Sequence, residues 1–576
     1  MLDTGRWKHL FARMVDWDEP GRRVIPAWGW AALVALVTAA VFAGVRHGSL
    51  LAWDDDINLT TNPHLRALSA ANVRWMWTDF EYMRRYVPLT WLGWAIEHAL
   101  FGLTPSSCHA GNLLFHSANA ALVFLLVRAI LELWRRDSPL TPSTNLAACA
   151  AGALFWSLHP LRVEIVAWAS GRIYAQALFF LLVATLAYLR AAPAARGTGS
   201  RRGWFTVAVL AYTASLLTHP LGFTGVAVLL VADIWLLRRV DGRKALWRDP
   251  ANRAVWLEKI PFVVVAVAVL GITLLARFHA RGLWDPPPTL AQFGLLPRLM
   301  QACYIWAHYV WRPLVPVGLA PVYTTLVWFK PTDAVFVASA AAVATVTAIL
   351  WWRRAAWPGG CALWLVHLIV LVPTLGLTEY PHYPSDRYSY LQGVLWAPAF
   401  AVALRWLRAR CDRRLVAGLG VATLAALSAL TVSQIRIWRN SETLFRYLYA
   451  HVGDSGYRAD IAFRLGEVLR AQNRLPEAAE YYRETLRIDV VGRRACGAHF
   501  GLGLIARAGE RNEEARQHYQ ASLRLRPDFA PAYAGLGELL AMAGQRDAAV
   551  ASFKQAIALD PEDAIARAAL ARLLAR

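Results

Sequence analysis

Apolar residues in this chain come in blocks. Runs of about 16 to 22 recur between positions 27 and 433, the length an α-helix needs to cross about 30 Å of hydrocarbon. They predict spans at 27–45, 110–133, 146–158, 173–189, 204–217, 221–237, 260–276, 334–352, 362–377, 388–407 and 415–433, about eleven in all. Two further stretches are helical in pattern but not clean spans. The segment 88–103 is amphipathic and fits a helix lying along the membrane. The segment 299–310 is short and polar, and fits an interfacial or re-entrant piece buried against protein.

After about position 436 the blocks stop and a repeat begins. Leu465-Gly466, Leu502-Gly503 and Leu536-Gly537 are followed at fixed distances by Ala478 and Tyr482, Ala515 and Tyr519, and Ala549 and Phe553. The unit is about 34 residues long, which is the tetratricopeptide pattern. Small residues let two helices cross closely, the aromatic wedges between neighbours, and three copies suffice to stack. The expected fold is therefore all-α: a polytopic membrane helix bundle followed by a C-terminal tetratricopeptide-repeat solenoid. The expected domains are a segment 1–26, a transmembrane domain 27–435 with its first external loop at 46–87, and a repeat domain 436–576. The repeats fall near 459–492, 496–529 and 530–563. Such solenoids carry a concave face that holds extended peptide, so a protein or peptide partner is expected there.

Composition supports a membrane protein and charge placement orients it. Of 576 residues 57% are hydrophobic and 17% charged, where soluble proteins carry nearer a quarter charged. The net charge of +21 would suggest nucleic acid, but its placement argues against that partner. Arginines sit in short linkers between apolar blocks, at Arg22-Arg23, Arg135-Arg136, Arg201-Arg202, Arg238-Arg239, Arg353-Arg354 and 408–414. Cytoplasmic loops have this character. The reading is a multi-pass plasma membrane protein, cytoplasmic at its N-terminus and extracytoplasmic at its repeats. The abundance of Ala, Arg and Leu with only five lysines fits a GC-rich bacterial gene, hence a bacterial inner membrane. The polar leader before the first span is too long for a cleavable signal. The six cysteines are scattered and show no metal or disulfide spacing.

The external ends of the spans gather acids and bases. The first loop holds Asp54, Asp55 and Asp56, then Asn62 and His64. Later turns bring His159, Arg162, Glu164 and Arg172, then His219, then Glu379, His382, Asp386 and Arg387. Ionisable groups at a membrane edge are costly and tend to be functional. A carboxylate there can take a proton from an acceptor hydroxyl, and an Arg or His can hold a departing phosphate. The phosphate candidates are Arg387, Arg172 and His219, with His159, Glu164 and Asp386 in support. The acidic pair Asp54 and Asp55 also offers oxygen ligands of the kind Mg²⁺ or Mn²⁺ takes, so a divalent cation stands as an alternative there; no other cofactor is assigned.

Several short motifs recur in a fixed order: Trp53-Asp54-Asp55 with Asn62-Pro63-His64-Leu65; Tyr86-Val87-Pro88-Leu89-Thr90; Leu158-His159-Pro160-Leu161-Arg162-Val163-Glu164 through Gly171-Arg172; Glu258-Lys259-Ile260-Pro261; Asp386-Arg387-Tyr388; and Trp438-Arg439-Asn440-Ser441-Glu442. This ordered set resembles the TMTC-type O-mannosyltransferases, which in turn resemble the C-type glycosyltransferases. The resemblance implies inverting transfer of a sugar, mannose in the family's name, from a polyprenyl-phosphate donor to a Ser or Thr hydroxyl. It puts Asp54 and Asp55 on the acidic pair, one as base, and Arg387 on a donor-phosphate contact. Two departures stand out: His219-Pro220 where relatives often have Lys-Pro, and Trp53 where Tyr is usual. The alternatives are a non-catalytic membrane-anchored repeat scaffold, and a transporter or polymerase of lipid-linked glycans.

Overall fold

The computed structural model describes the chain apart from residues 1–25, 135–141, 193–197, 241–246, 280–287, 328, 378–381, 454–455, 491 and 576. The expected cytoplasmic segment, except Pro26, the pair Arg135-Arg136 and Glu379 lie outside the described residues. Two compact units divide at Arg439 and Asn440, and every regular element in both is helical among the described residues.

In the first unit, each expected apolar block lies at least in part on a helix. Among the described residues six helices are long and apolar enough to cross a membrane: Ala27–His47, Pro105–Trp134, Ala169–Ala191, Pro250–Phe278, Ala334–Trp352 and Arg413–Ile437. A further pair, Asn145–Ser157 and Pro160–Ala167, meets at a 56° bend and forms a broken span or a re-entrant loop. Pro220–Leu236 and Pro358–Thr374 are apolar but shorter. The last expected block but one begins with two short helical turns, Ser389–Gln392 and Gly393–Leu395, and continues as Trp396–Arg408. The protein is thus a multi-pass membrane protein, several of whose blocks are short or interrupted helices. The expected count of about eleven spans is not confirmed by helix length alone, because a run of apolar residues measures length along the chain and not unbroken helix.

The interruptions are stabilised from within. Pro105–Trp134 is the longest helix, and its buried stripe carries Asn112, His116 and Asn119 among Cys108, Ala120, Val123 and Phe124. At this spacing the three polar groups share one face. Asn112 Nδ2 donates to the carbonyls of Ile165, Trp168 and Ala169 at 3.2, 2.7 and 3.3 Å. Asn119 Nδ2 donates to Ala175 O at 2.8 Å, and His116 lies 2.9 Å from Tyr390 Oη. Non-helical backbone at membrane depth survives only where protein groups satisfy it. Asn112 does so within the segment 158–171, and His116 and Asn119 meet the backbone on either side of it, at Ser157 O and Ala175 O.

Away from that break, a buried charge network ties three elements together. Asp233 is fully buried. It receives Lys259 Nζ at 2.5 Å, Arg239 Nη1 at 3.0 Å and Tyr188 Oη at 2.7 Å. Arg239 Nη2 reaches Glu258 at 2.6 Å, and Arg201 pairs with the same carboxylate. The Glu258-Lys259 motif therefore works as a clamp between helices.

The second unit is a stack of antiparallel helix pairs, among them Gly456–Ala471 with Leu475–Ile488, and Ala530–Met542 with Arg546–Leu559. Its glycines explain the repeat. A Cβ on Gly466 would sit 2.8 Å from the Tyr482 ring, and one on Gly501, in the next repeat, 2.5 Å from the same ring. Gly503 and Gly535 flank Tyr519 in the same way, at 2.5 and 2.9 Å. Each aromatic fills a slot that two glycines leave open.

Removing Asp233 alone would strand Lys259 in a buried site, since Arg239 keeps Glu258. Asp233→Ala is expected to cost roughly 3–5 kcal/mol, while Asp233→Leu with Lys259→Met recovers much of that loss. Thermal unfolding in detergent checks it; equal melting of the single and double variants would contradict a coupled buried pair.

Candidate active site

The first loop is shaped by strain and by one buried carboxylate. After the first span the chain turns at Leu51, and Asp54 takes a φ of +104°, a region that disfavours side chains. Asp55 is fully buried. Its Oδ2 accepts Leu51 N–H at 2.9 Å, and its Oδ1 accepts the Ser170 N–H and hydroxyl at 2.8 and 2.6 Å. Asn58 Nδ2 donates to Ser170 Oγ at 3.0 Å. Burial pushes the Asp55 carboxyl up to about 6, against the lowering pull of its three hydrogen bonds. Asp54 points the other way. Its side chain is 30% exposed and lies 3.6 Å from Arg85 Nη2. Met83 and Arg84, just before that arginine, also have positive φ, at 54° and 52°. Strained backbone on both sides brings this carboxylate and guanidinium together. Asp56 is exposed at the loop surface.

Glu164 and Arg387 form the second half of the arrangement. Glu164 sits in the short helix Val163–Ala167 and is 1% exposed. It accepts Arg387 N–H and Nη1, each at 2.7 Å, and the Ser385 hydroxyl at 3.1 Å. Arg387 Nη1 also reaches Ser385 Oγ at 2.6 Å, and the guanidinium carbon lies 5.9 Å from the centre of the Trp168 ring. The other guanidinium nitrogens make no hydrogen bond among the described residues. Asp386 faces away from them and accepts Tyr323 Oη at 2.6 Å; Arg312 Nη2 donates to that same hydroxyl at 2.6 Å. Burial, with the Glu164 charge next, pushes Asp386 up to about 8.

The two His-Pro turns are alike in backbone and different in use. In each, the imidazole Nδ1 accepts the N–H two residues on, from Leu161 for His159 and from Leu221 for His219, both at 3.2 Å. This bond puts the proton on Nε2. His159 spends that proton on Pro313 O at 3.0 Å, whereas His219 Nε2 has no hydrogen-bond partner among the described residues. His219 packs 4.8 Å from the Tyr174 ring. Burial, and then the charges of Arg85 and Arg387, hold its pKa down to about 3. The position is therefore a neutral donor at pH 7, without the fixed charge that a lysine would supply.

Arg172, expected at a phosphate, lies elsewhere. It is buried, ion-paired with Glu97, and donates to Asn112 Oδ1 at 3.1 Å and Cys108 O at 2.9 Å. A guanidinium so enclosed locks the helix start at 172 against Pro105–Trp134. The acidic pair does not fit a cation either. Both Asp55 oxygens accept protein hydrogens, Asp54 faces Arg85, and no cluster of three His, Cys, Asp or Glu suited to a metal occurs among the described residues. Asp54 thus pairs with Arg85, the charges of Arg85 and Arg387 both reach His219, Asp55 is held by Ser170 and Arg387 by Glu164 and Ser385, and Arg172 and His159 are held by protein partners.

Comparison with known proteins bears on this arrangement. The tetratricopeptide repeat family matches residues 438–489 and 506–573. Protein O-mannosyl-transferase TMTC1 of Homo sapiens is 25% identical over 530 residues, which cover 81% of this chain and 56% of that protein. TMTC2 of Mus musculus is 27% identical over 248 residues, covering 41% and 27%. The chain is similar to the TMTC-type proteins. It spans about half the length of TMTC1 and about a quarter of TMTC2. Among solved structures, ArnT from Cupriavidus metallidurans in its apo state overlaps with a TM-score of 0.38 at 16% identity, covering 88% of this chain and 80% of that one. An overlap that loose carries no argument about this chain.

Arg85, Ser170, Ser385 and Asn112 were not singled out by sequence. Arg85 and Ser170 lie within or beside motifs that were, but nothing local marks an Arg in a polar loop or a Ser in a turn. Asn112, His116 and Asn119 were legible in principle, as polar groups spaced by four and three on an apolar span.

Asp55 should titrate near pH 6. Ser170→Ala removes a donor that favours the charged form and should move the midpoint higher. Because the folded value exceeds the ordinary carboxylate value, this group favours the fold most below pH 3.8, and that advantage is lost as pH rises through about 6. Difference infrared spectroscopy with Asp55→Asn as blank reads the midpoint; a value near ~4 would contradict the burial.

Proposed function

We propose that the protein is a membrane glycosyltransferase, moving a sugar from a polyprenyl-phosphate donor to a Ser or Thr hydroxyl of an exported protein. The observation that carries this reading is a partly exposed carboxylate, Asp54, paired with Arg85 on strained backbone, with Arg85 and Arg387 both acting on the neutral imidazole of His219. The named relatives support mannose as the sugar. The arginine linkers support an extracytoplasmic site.

Asp54 is the base. The acceptor oxygen bonds to the sugar C1 while the bond from C1 to the phosphate oxygen breaks, and configuration inverts. The acceptor proton passes to the Asp54 carboxylate, and the electron pair leaves with the polyprenyl phosphate. Arg387, Arg85 and the His219 N–H oppose the charge that grows on the departing phosphate. Arg85 has a double role: it holds Asp54 in the free protein and turns to phosphate when donor arrives. Asp55 is a positioning residue, fixing through Leu51 and Ser170 the turn that strains Asp54 outward. Glu164 does the same for Arg387. The repeat unit presents the acceptor segment.

Asp54→Asn should lower transfer about 10²–10⁴-fold, the usual span of a general base, with donor binding kept. Arg387→Gln should weaken donor binding, and Arg172→Gln should reduce the folded fraction instead. Reconstituted transfer from polyprenyl-phosphate mannose to a Ser/Thr peptide, read by mass spectrometry, checks all three. Normal turnover by Asp54→Asn would overturn the base assignment.

A further inference from the structure

The first and last of the long apolar helices leave a second feature that the transfer reading does not use. Between Ala27–His47 and Arg413–Ile437 lies a cavity of about 490 Å³. Its walls include Val41, Gly44, Val432 and Ile435. Gly44 gives it width, since a Cβ there would stand 3.8 Å from Ile435 Cγ2. At the rim are His47, Arg436 and Arg439, with Arg46 beside them, all exposed.

Arg46, Arg436 and Arg439 make no ion pair among the described residues. The nearby acids are committed, Asp55 to Ser170 and Asp54 to Arg85. Arg439 is fixed in place, because its carbonyl accepts Ser49 N–H at 2.9 Å and the neighbouring Trp438 is buried. Behind Gly48, which lines the cavity, His109 is buried. The Arg-Arg pair that opens the last helix, Arg413-Arg414, lies at the opposite end of that helix, the end the linker arginines mark as cytoplasmic. Three more arginines at the other end run against that bias and call for an anion. Below the rim the flanks stay apolar and exposed, with Leu36 67% and Val421 68% accessible. Cationic rim, apolar walls and an open side toward lipid describe one ligand chemistry.

We propose that this cavity binds an anionic glycerophospholipid of the surrounding leaflet, its phosphate among Arg436, Arg439 and His47 and its upper chain beside Gly44. The site is separate from the Asp54–Arg387 cluster, and its binding does not depend on the transfer reading.

The test uses the full chain in phosphatidylcholine nanodiscs titrated with phosphatidylglycerol, with bound lipid counted by native mass spectrometry. The wild type should retain one phosphatidylglycerol in preference to phosphatidylcholine. Arg436→Gln or Arg439→Gln should weaken retention about fivefold, and the pair about thirtyfold. Gly44→Leu fills the groove without touching the cations and should also abolish retention, while Arg353→Gln, at the other end of the bundle, should not. Equal retention by the wild type and the double arginine variant would overturn the proposal, whether or not Gly44→Leu folds. Equal retention of phosphatidylcholine would overturn it too. Displacement by millimolar inorganic phosphate would reassign the site to a free anion and overturn the lipid.

Discussion

The break in the helix path between residues 158 and 171 is the constraint on which the rest of the site depends. Unpaired carbonyls there would be prohibitive inside a membrane protein, and Asn112 removes the difficulty by donating to three of them. With the backbone so held, two side chains six residues apart reach in different directions. Glu164 takes Arg387 and Ser170 takes Asp55. One interrupted segment thereby positions both halves of the candidate site.

Charge is divided between working groups and fixed ones. On the proposed reading, the buried carboxylates that accept several hydrogen bonds, Asp55 and Glu164, are scaffolding. The half-exposed Asp54, kept in a strained conformation opposite Arg85, has the accessibility a base requires. The same division separates the arginines: Arg172 is enclosed by Glu97, Asn112 and Cys108, whereas Arg387 has one nitrogen anchored and the rest of its guanidinium available. It also separates two histidines that look identical in sequence, since only His219 keeps its Nε2 proton unspent. Type and local motif cannot tell such pairs apart; the third dimension decides.

How much was legible follows from this. The apolar blocks and the Leu-Gly to aromatic spacing were enough for a helical bundle and a repeat stack, because both signals are local and periodic. The ordered motifs pointed to Asp54, Arg387 and the TMTC-type relatives. Span continuity was not legible, since a Pro or His-Pro within an apolar run bends a helix without lowering its hydrophobicity. Neither was the choice between Asp54 and Asp55, adjacent residues with opposite environments, nor the enclosure of Arg172, which depends on Glu97 seventy-five positions earlier. The role of Arg85 needed the fold, because only there does it face Asp54.

The central claim is that Asp54 and the arginine pair act on one bound donor. A cryo-electron microscopy structure of the full chain with a non-transferable polyprenyl-phosphate sugar analogue tests it most directly. The account predicts the phosphate against Arg387, Arg85 and His219 Nε2, with the Asp54 carboxylate released from Arg85 and facing the sugar C1 opposite the phosphate. A donor phosphate bound away from Arg387, or an Asp54 carboxylate turned from the sugar, would contradict it.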